Sequence, residues 1–133
     1  MSKRRFLTLL LMLFAVSSLL VGCGRPKTYV IEKSALYGNG VLLNGPDDAV
    51  TPEECYLSVE NDQIEFHYFS YTYHGESYSG FLYWDSDPLL VADATYSLTQ
   101  FSETSNGYHM TIWYDYPLDD ETAVLQQEFW FTK

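Results

Sequence analysis

From Thr28 onward the chain predicts an all-β domain: an antiparallel meander of about seven or eight strands, closing into a small up-and-down barrel or a half-open clamshell. Three observations predict it. Aromatic and β-branched residues dominate, with 12 Tyr, 8 Phe and 3 Trp in 133 residues. Clusters of Gly, Asn, Asp and Pro punctuate the apolar runs at short intervals. No amphipathic stretch is long enough to supply the crossover helix of a βαβ unit. A two-sheet β-sandwich is the alternative that the same pattern allows.

Taken in order, a first strand over Thr28–Leu36 ends at Tyr37-Gly38-Asn39-Gly40. A short piece, Val41–Leu43, precedes the loop Asn44-Gly45-Pro46-Asp47-Asp48. Thr51-Pro52-Glu53-Glu54 has the grammar of a helix start: a capping hydroxyl, a proline with φ preset, and a carboxylate that can reciprocate to the cap. The alternation that follows restricts it to a single turn. Tyr56–Glu60 and Gln63–Tyr73 flank Asn61-Asp62, a two-residue hairpin signal. A turn at His74-Gly75-Glu76-Ser77 leads into Tyr78–Trp84, which Asp85-Ser86-Asp87-Pro88 breaks. Thr95–Thr104 meets Tyr108–Tyr116 through Asn106-Gly107, the strongest hairpin signal in the chain. Pro117–Glu121 turns the chain into a last strand, Thr122–Thr132.

The stretch from His67 to Trp84 is the most aromatic part of the domain. Unbroken alternation places Phe66 and Tyr68 on one face of its first strand and His67, Phe69, Tyr71 and Tyr73 on the other. Tyr78, Leu82 and Trp84 oppose Phe81 and Tyr83 on the second. Such a hairpin is covered on both sides. Core packing accounts for many of these rings, and a lined cavity or groove accounts for hydroxyl-bearing ones. Tyr71, Tyr73, Tyr83 and Trp84 are the candidate ligand-binding residues.

The N-terminal segment predicts a compartment. Lys3, Arg4 and Arg5 precede an apolar run, Phe6–Val21, that is shorter than the roughly 20 residues needed to span hydrocarbon. A charged start, a short apolar centre and a small-residue exit describe a secretory signal. Leu20-Val21-Gly22-Cys23 resembles the lipobox of bacterial lipoproteins. That resemblance implies a diacylglyceryl group on the Cys23 thiol and cleavage before it. It divides the chain into a signal peptide (1–22), a tether (23–27) and one all-β domain (28–133), held by acyl chains to the extracytoplasmic side of a bacterial membrane. From Cys23 onward four cations (Arg25, Lys27, Lys33 and Lys133) stand against all 18 acids, a net charge of −14. That charge excludes nucleic acid as a partner and makes lipid, not headgroup attraction, the anchor. With Cys23 lipidated, Cys55 is a single thiol with no internal disulfide partner, and reads as a small buried apolar residue.

The order of parts, with an opening strand, the Thr51-Pro52-Glu53-Glu54 turn and a meander ending in Phe129-Trp130-Phe131, resembles small lipocalin-like lipoproteins of bacteria. The chain departs from that family at Tyr37-Gly38-Asn39-Gly40, which lacks the tryptophan of the Gly-x-Trp signature. The resemblance implies a barrel that binds a small ligand.

Chemistry-bearing patterns are sparse. The acids cluster in turns at Asp47-Asp48, Glu53-Glu54, Asp85/Asp87 and Asp119-Asp120-Glu121, without the alternation and glycine of a calcium loop. His67, His74 and His109 lack zinc-ligand spacing. Tyr78-Ser79-Gly80 is not a nucleophile elbow. The expectation is therefore a non-catalytic module with no metal and no cofactor. It binds a small ligand or peptide, or as an alternative meets an envelope protein through an acidic rim over a filled core.

Overall fold

A computed structural model describes residues 26–47 and 53–133, which form nine antiparallel strands and, among the described residues, no helix. They are β1 (Lys27–Gly38), β2 (Val41–Asp47), β3 (Cys55–Glu60), β4 (Gln63–Tyr68), β5 (Tyr71–Tyr78), β6 (Phe81–Trp84), β7 (Thr95–Glu103), β8 (Gly107–Pro117) and β9 (Thr122–Thr132). β1, β3 and then β4 to β9 follow one another round a single sheet, and β1 pairs back onto β9. The molecule is a closed eight-stranded up-and-down barrel, with β2 as one extra strand. One continuous sheet leaves no place for the sandwich alternative.

β1 makes the closure possible. One of its edges runs along β9 from Val30 to Gly38. The other pairs with β3 over Lys27–Val30 and with β2 over Ser34–Gly38. The register shifts between Ile31 and Lys33, a bulge at Glu32 that bends the strand. It also exchanges the faces. Tyr29 and Ile31 point into the core before it, and Ser34 lies opposite the core residue Phe129 after it.

The turns correct part of the expected layout. Asn39-Gly40 and Asn61-Asp62 are hairpin turns, with φ of 49° and 83° at the first pair and 58° at Asn61. The expected strand Gln63–Tyr73 is two strands, because the chain reverses at Phe69-Ser70. The turn expected at His74–Ser77 lies inside β5, and the reversal comes instead at Ser79-Gly80, where both residues are left-handed (54° and 90°). Gly75 has the composition of a turn but a different role. A Cβ there would lie 2.9–3.0 Å from Leu82, Trp84 and the Tyr83 carbonyl, so this glycine admits close packing across the sheet and makes no bend. Of the helical turn expected near Pro52, Thr51 and Pro52 lie outside the described residues, and Glu53-Glu54 is a turn entering β3.

Eight strands enclose a space that side chains just fill. Leu57, Ile64, Phe66, Met110, Ile112, Tyr114, Phe129 and Phe131 are buried within it. Phe66 sits among Tyr73, Trp84, Phe129 and Phe131, with ring centroids 5.4–6.2 Å away. Cys55 is wholly buried, and burial pushes its thiol up to about 12, which keeps it neutral and unreactive.

One seam is thin. β6 and β7 are in register at a single pair, Phe81↔Gln100. Above it side chains replace the ladder: the Trp84 indole N–H donates to Thr99 Oγ1 at 2.8 Å, and the Tyr96 hydroxyl lies 2.8 Å from the same oxygen.

The two ends of the barrel differ. The base carries the short turns Asn61-Asp62, Ser79-Gly80 and Ser105-Asn106, the start of β1 and the end of β9. The mouth carries the Phe69-Ser70 turn and the long connection from Asp85 to Ala94.

Candidate functional site

The Asp85–Ala94 connection folds down over the mouth because its apolar residues have somewhere to go. Pro88 is buried, and Leu90, Val91 and Ala94 pack against the core. Tyr114, at 0% exposure, ties the loop from below. Its hydroxyl donates to the Pro88 carbonyl at 2.6 Å and accepts the Leu90 N–H at 3.1 Å. Burial raises the Tyr114 pKa well beyond the usual phenol value, so it remains a donor throughout the neutral range.

Replacing Tyr114 by Phe keeps the ring and removes both bonds. The Pro88 carbonyl and Leu90 amide then lose a buried partner, which is expected to cost about 1–3 kcal/mol. Urea denaturation should show that loss together with faster exchange of the Leu90 amide hydrogen. Unchanged stability and protection would mean that the loop is held by its apolar contacts alone.

Between this loop and the β4–β5 hairpin lies an open groove of about 590 Å³, lined by Tyr68, Phe69, Tyr71, Tyr73, Ser86, Asp87, Leu89 and Leu90. Its walls are unusually apolar for a surface feature. Phe69 is 52% exposed, Tyr71 64% and Leu89 61%. Phe69 is also held at φ 57°, a left-handed conformation that costs a bulky residue about 1–2 kcal/mol. Its amide donates to the Glu54 carbonyl at 2.6 Å, and its ring meets Tyr68 edge-on at 4.8 Å. Tyr71 and Tyr73 stack at 6.3 Å. Strain of this kind concentrates at binding sites.

The hairpin at Phe69-Ser70 decides which rings face the groove. Tyr68 pairs with Tyr71 and Phe66 with Tyr73, so Tyr71 and Tyr73 share the inward side with Phe66. The unbroken alternation expected from sequence put them beside His67, and that grouping is corrected. His67 pairs with Thr72 on the outer wall, where Glu65 meets His67 at 3.0 Å and His74 at 3.5 Å. Of the candidate residues, Tyr71 and Tyr73 line the groove. Trp84 stands behind them, edge-on to Tyr73 at 6.2 Å, and bonds across the thin seam. Tyr83 is elsewhere: it is 58% exposed on the outer wall, opposite Glu76. Sequence reasoning missed Tyr68, Phe69, Ser86, Asp87, Leu89 and Leu90 as lining residues. A signal for the turn existed. Apolar positions run Ile64, Phe66, Tyr68 and then Tyr71, Tyr73, a one-residue phase slip that marks a reversal.

Of the other clefts, two are smaller and more polar. One of about 400 Å³ at the base is lined by Asp62, Ser77, Ser79, Ser102 and Glu103 among others. One of about 140 Å³ lies by Pro26, Ser58, Glu65 and His74 on the outer wall. On the opposite wall His109 bonds Glu128 at 2.8 Å and stacks on Trp130, over which Lys33 sits at 4.9 Å. Among the described residues no group of three or more metal-binding side chains converges. No helix among them is long and apolar enough to cross a membrane.

The fold and groove define a small closed β-barrel with a filled interior and an aromatic mouth. Compared with known proteins, the chain matches no family model, no curated protein and no solved structure.

Proposed function

We propose that this chain is a lipid-anchored extracytoplasmic lipoprotein whose barrel is a non-catalytic binding module, with the mouth groove as its binding site for an extended peptide segment. The groove carries the reading: Phe69, Tyr71 and Leu89 leave large apolar surfaces in water around one concavity. The filled interior favours a ligand that lies across the mouth over one enclosed within the barrel. The anchor rests on Leu20-Val21-Gly22-Cys23, whose residues lie outside the described part of the structure.

Peptide display on the purified protein tests the groove. Selected peptides are expected to lose at least about tenfold in affinity on a Phe69→Ala/Tyr71→Ala variant, the worth of one buried aromatic anchor. Peptides that bind wild type and variant alike would overturn the assignment. In bacteria, the Cys23→Ser chain is expected to lose acyl labelling and remain uncut. An unmodified Cys23 in the wild-type protein would remove the anchor from the proposal.

A further inference from the structure

Acids stand at both ends of the barrel, with Asp62 and Glu103 lining the base cleft, but the cations keep away from the mouth. The mouth loops hold eight acids (Glu53, Glu54, Asp85, Asp87, Asp93, Asp119, Asp120 and Glu121) and, among the described residues, no lysine or arginine. Lys27 and Lys133 lie at the base, beside the Asn61-Asp62 and Ser105-Asn106 turns. Lys33 is spent on the outer wall over Trp130. The apolar groove thus opens into a field of one sign, and Asp87 stands in its lining.

Where the chain enters adds a direction. Cys23 is four residues from Lys27, a covalent reach of about 14 Å at full extension. β1 then runs 12 residues, about 40 Å along the strand, to the mouth side. A chain held at Cys23 keeps its base by the membrane and its mouth turned outward.

From this we infer that the occupant of the groove is a basic extended segment of another protein, approaching from the side away from the membrane. Its apolar side chains rest on Phe69, Tyr71 and Leu89, and an arginine or lysine meets Asp87. The exposed faces of Tyr71 and Phe69 suit the same cations. The inference rests on the groove being the binding site, and its direction on the Cys23 anchor; it names what binds there.

The test uses short probe peptides alternating leucine with arginine, serine or glutamate, titrated into the isotopically labelled full chain. Resonances of Phe69, Tyr71 and Leu89 report the groove. The arginine–leucine peptide is expected to shift them and to weaken about tenfold on raising salt to roughly 0.5 M. Asp87→Asn is expected to weaken it about fivefold, the scale of one partly exposed pair. An Asp119→Asn/Asp120→Asn variant, charged elsewhere on the rim, should weaken it less. Equal losses in the two variants would reduce the contact to diffuse attraction and overturn the inference. Serine–leucine and arginine–leucine peptides that shift the groove equally would also overturn it, leaving the binding site in place. If no peptide shifts these resonances, the inference and the groove assignment fall together.

Discussion

Phe66→Ala is expected to destabilise the barrel by about 3–5 kcal/mol, the range for deleting a fully buried phenylalanine. The site has little capacity to collapse. Phe66 is at 0% exposure, and the rings around it come from three other strands: Tyr73 from β5, Trp84 from β6, and Phe129 and Phe131 from β9, with Tyr68 beside it on β4. Except for Trp84 beside the thin β6–β7 seam, those rings sit on strands held by ladders on both sides, so the void persists. The effect should also reach the groove, since Tyr73 and Trp84 lean on Phe66 and Tyr73 is part of the lining. Urea denaturation gives the stability loss, and near-ultraviolet circular dichroism reports the aromatic packing. A loss under about 1 kcal/mol would mean that the core repacks as freely as a liquid, contrary to close-packed barrel interiors.

Alkaline pH is expected to unfold the protein cooperatively. Burial raises the Cys55 thiol from 9.0 to about 12, and raises the Tyr114 hydroxyl well above its ordinary value of 10.0. Burial also raises Tyr68, Tyr73, Tyr96 and Tyr108, less decisively because these are partly solvated. The unfolded chain releases these protons at the ordinary values, the folded chain only at higher pH. The stability they confer is therefore complete below about pH 9 and falls as pH rises past the unfolded values. For Cys55 the decline continues to about 12. Each proton held only in the folded state steepens the fall by about 1.4 kcal/mol per pH unit. Cys55 and Tyr114 together then give a slope of about 3 kcal/mol per unit above pH 10. Urea midpoints measured across pH 8 to 11, with tyrosinate absorbance followed in parallel, should show this slope, and Cys55→Ala should reduce it by about one proton. Stability that stays flat to pH 11 would contradict the burial of both groups.

The two experiments bear on the same design. An eight-stranded barrel can leave a cavity or fill it, and strand number does not decide which. Here bulky inward residues decide. Phe66, Tyr114, Phe129 and Phe131 take up the middle, Pro88 and Leu90 stopper the mouth, and the remaining aromatic surface is displaced to the rim. Binding moves to where the packing ends.

What the sequence by itself determined is the class of fold and the position of most strands. Turn chemistry is local: Asn39-Gly40 and Asn61-Asp62 mark reversals because left-handed backbone is tolerated at Asn39, Gly40 and Asn61, and the β-branched and aromatic runs between the turns have one comfortable conformation. The β7–β8 reversal comes one residue before the expected Asn106-Gly107, at Ser105-Asn106, with Gly107 already in β8. The charge from Cys23 onward is likewise a matter of composition. Closure of β1 on β9 was beyond local signals, since its pairs lie about a hundred residues apart and depend on the bulge at Glu32. The reversal at Phe69, a residue no turn rule selects, left only the phase slip in the sequence; the Glu54 carbonyl holds it in place from elsewhere in the fold. That reversal moved Tyr71 and Tyr73 to the inward side and left Tyr83 on the wall. Alternation along a strand says which residues share a face. Only the pairing of distant strands, and the loop that Tyr114 draws over the mouth, decided which face became the groove.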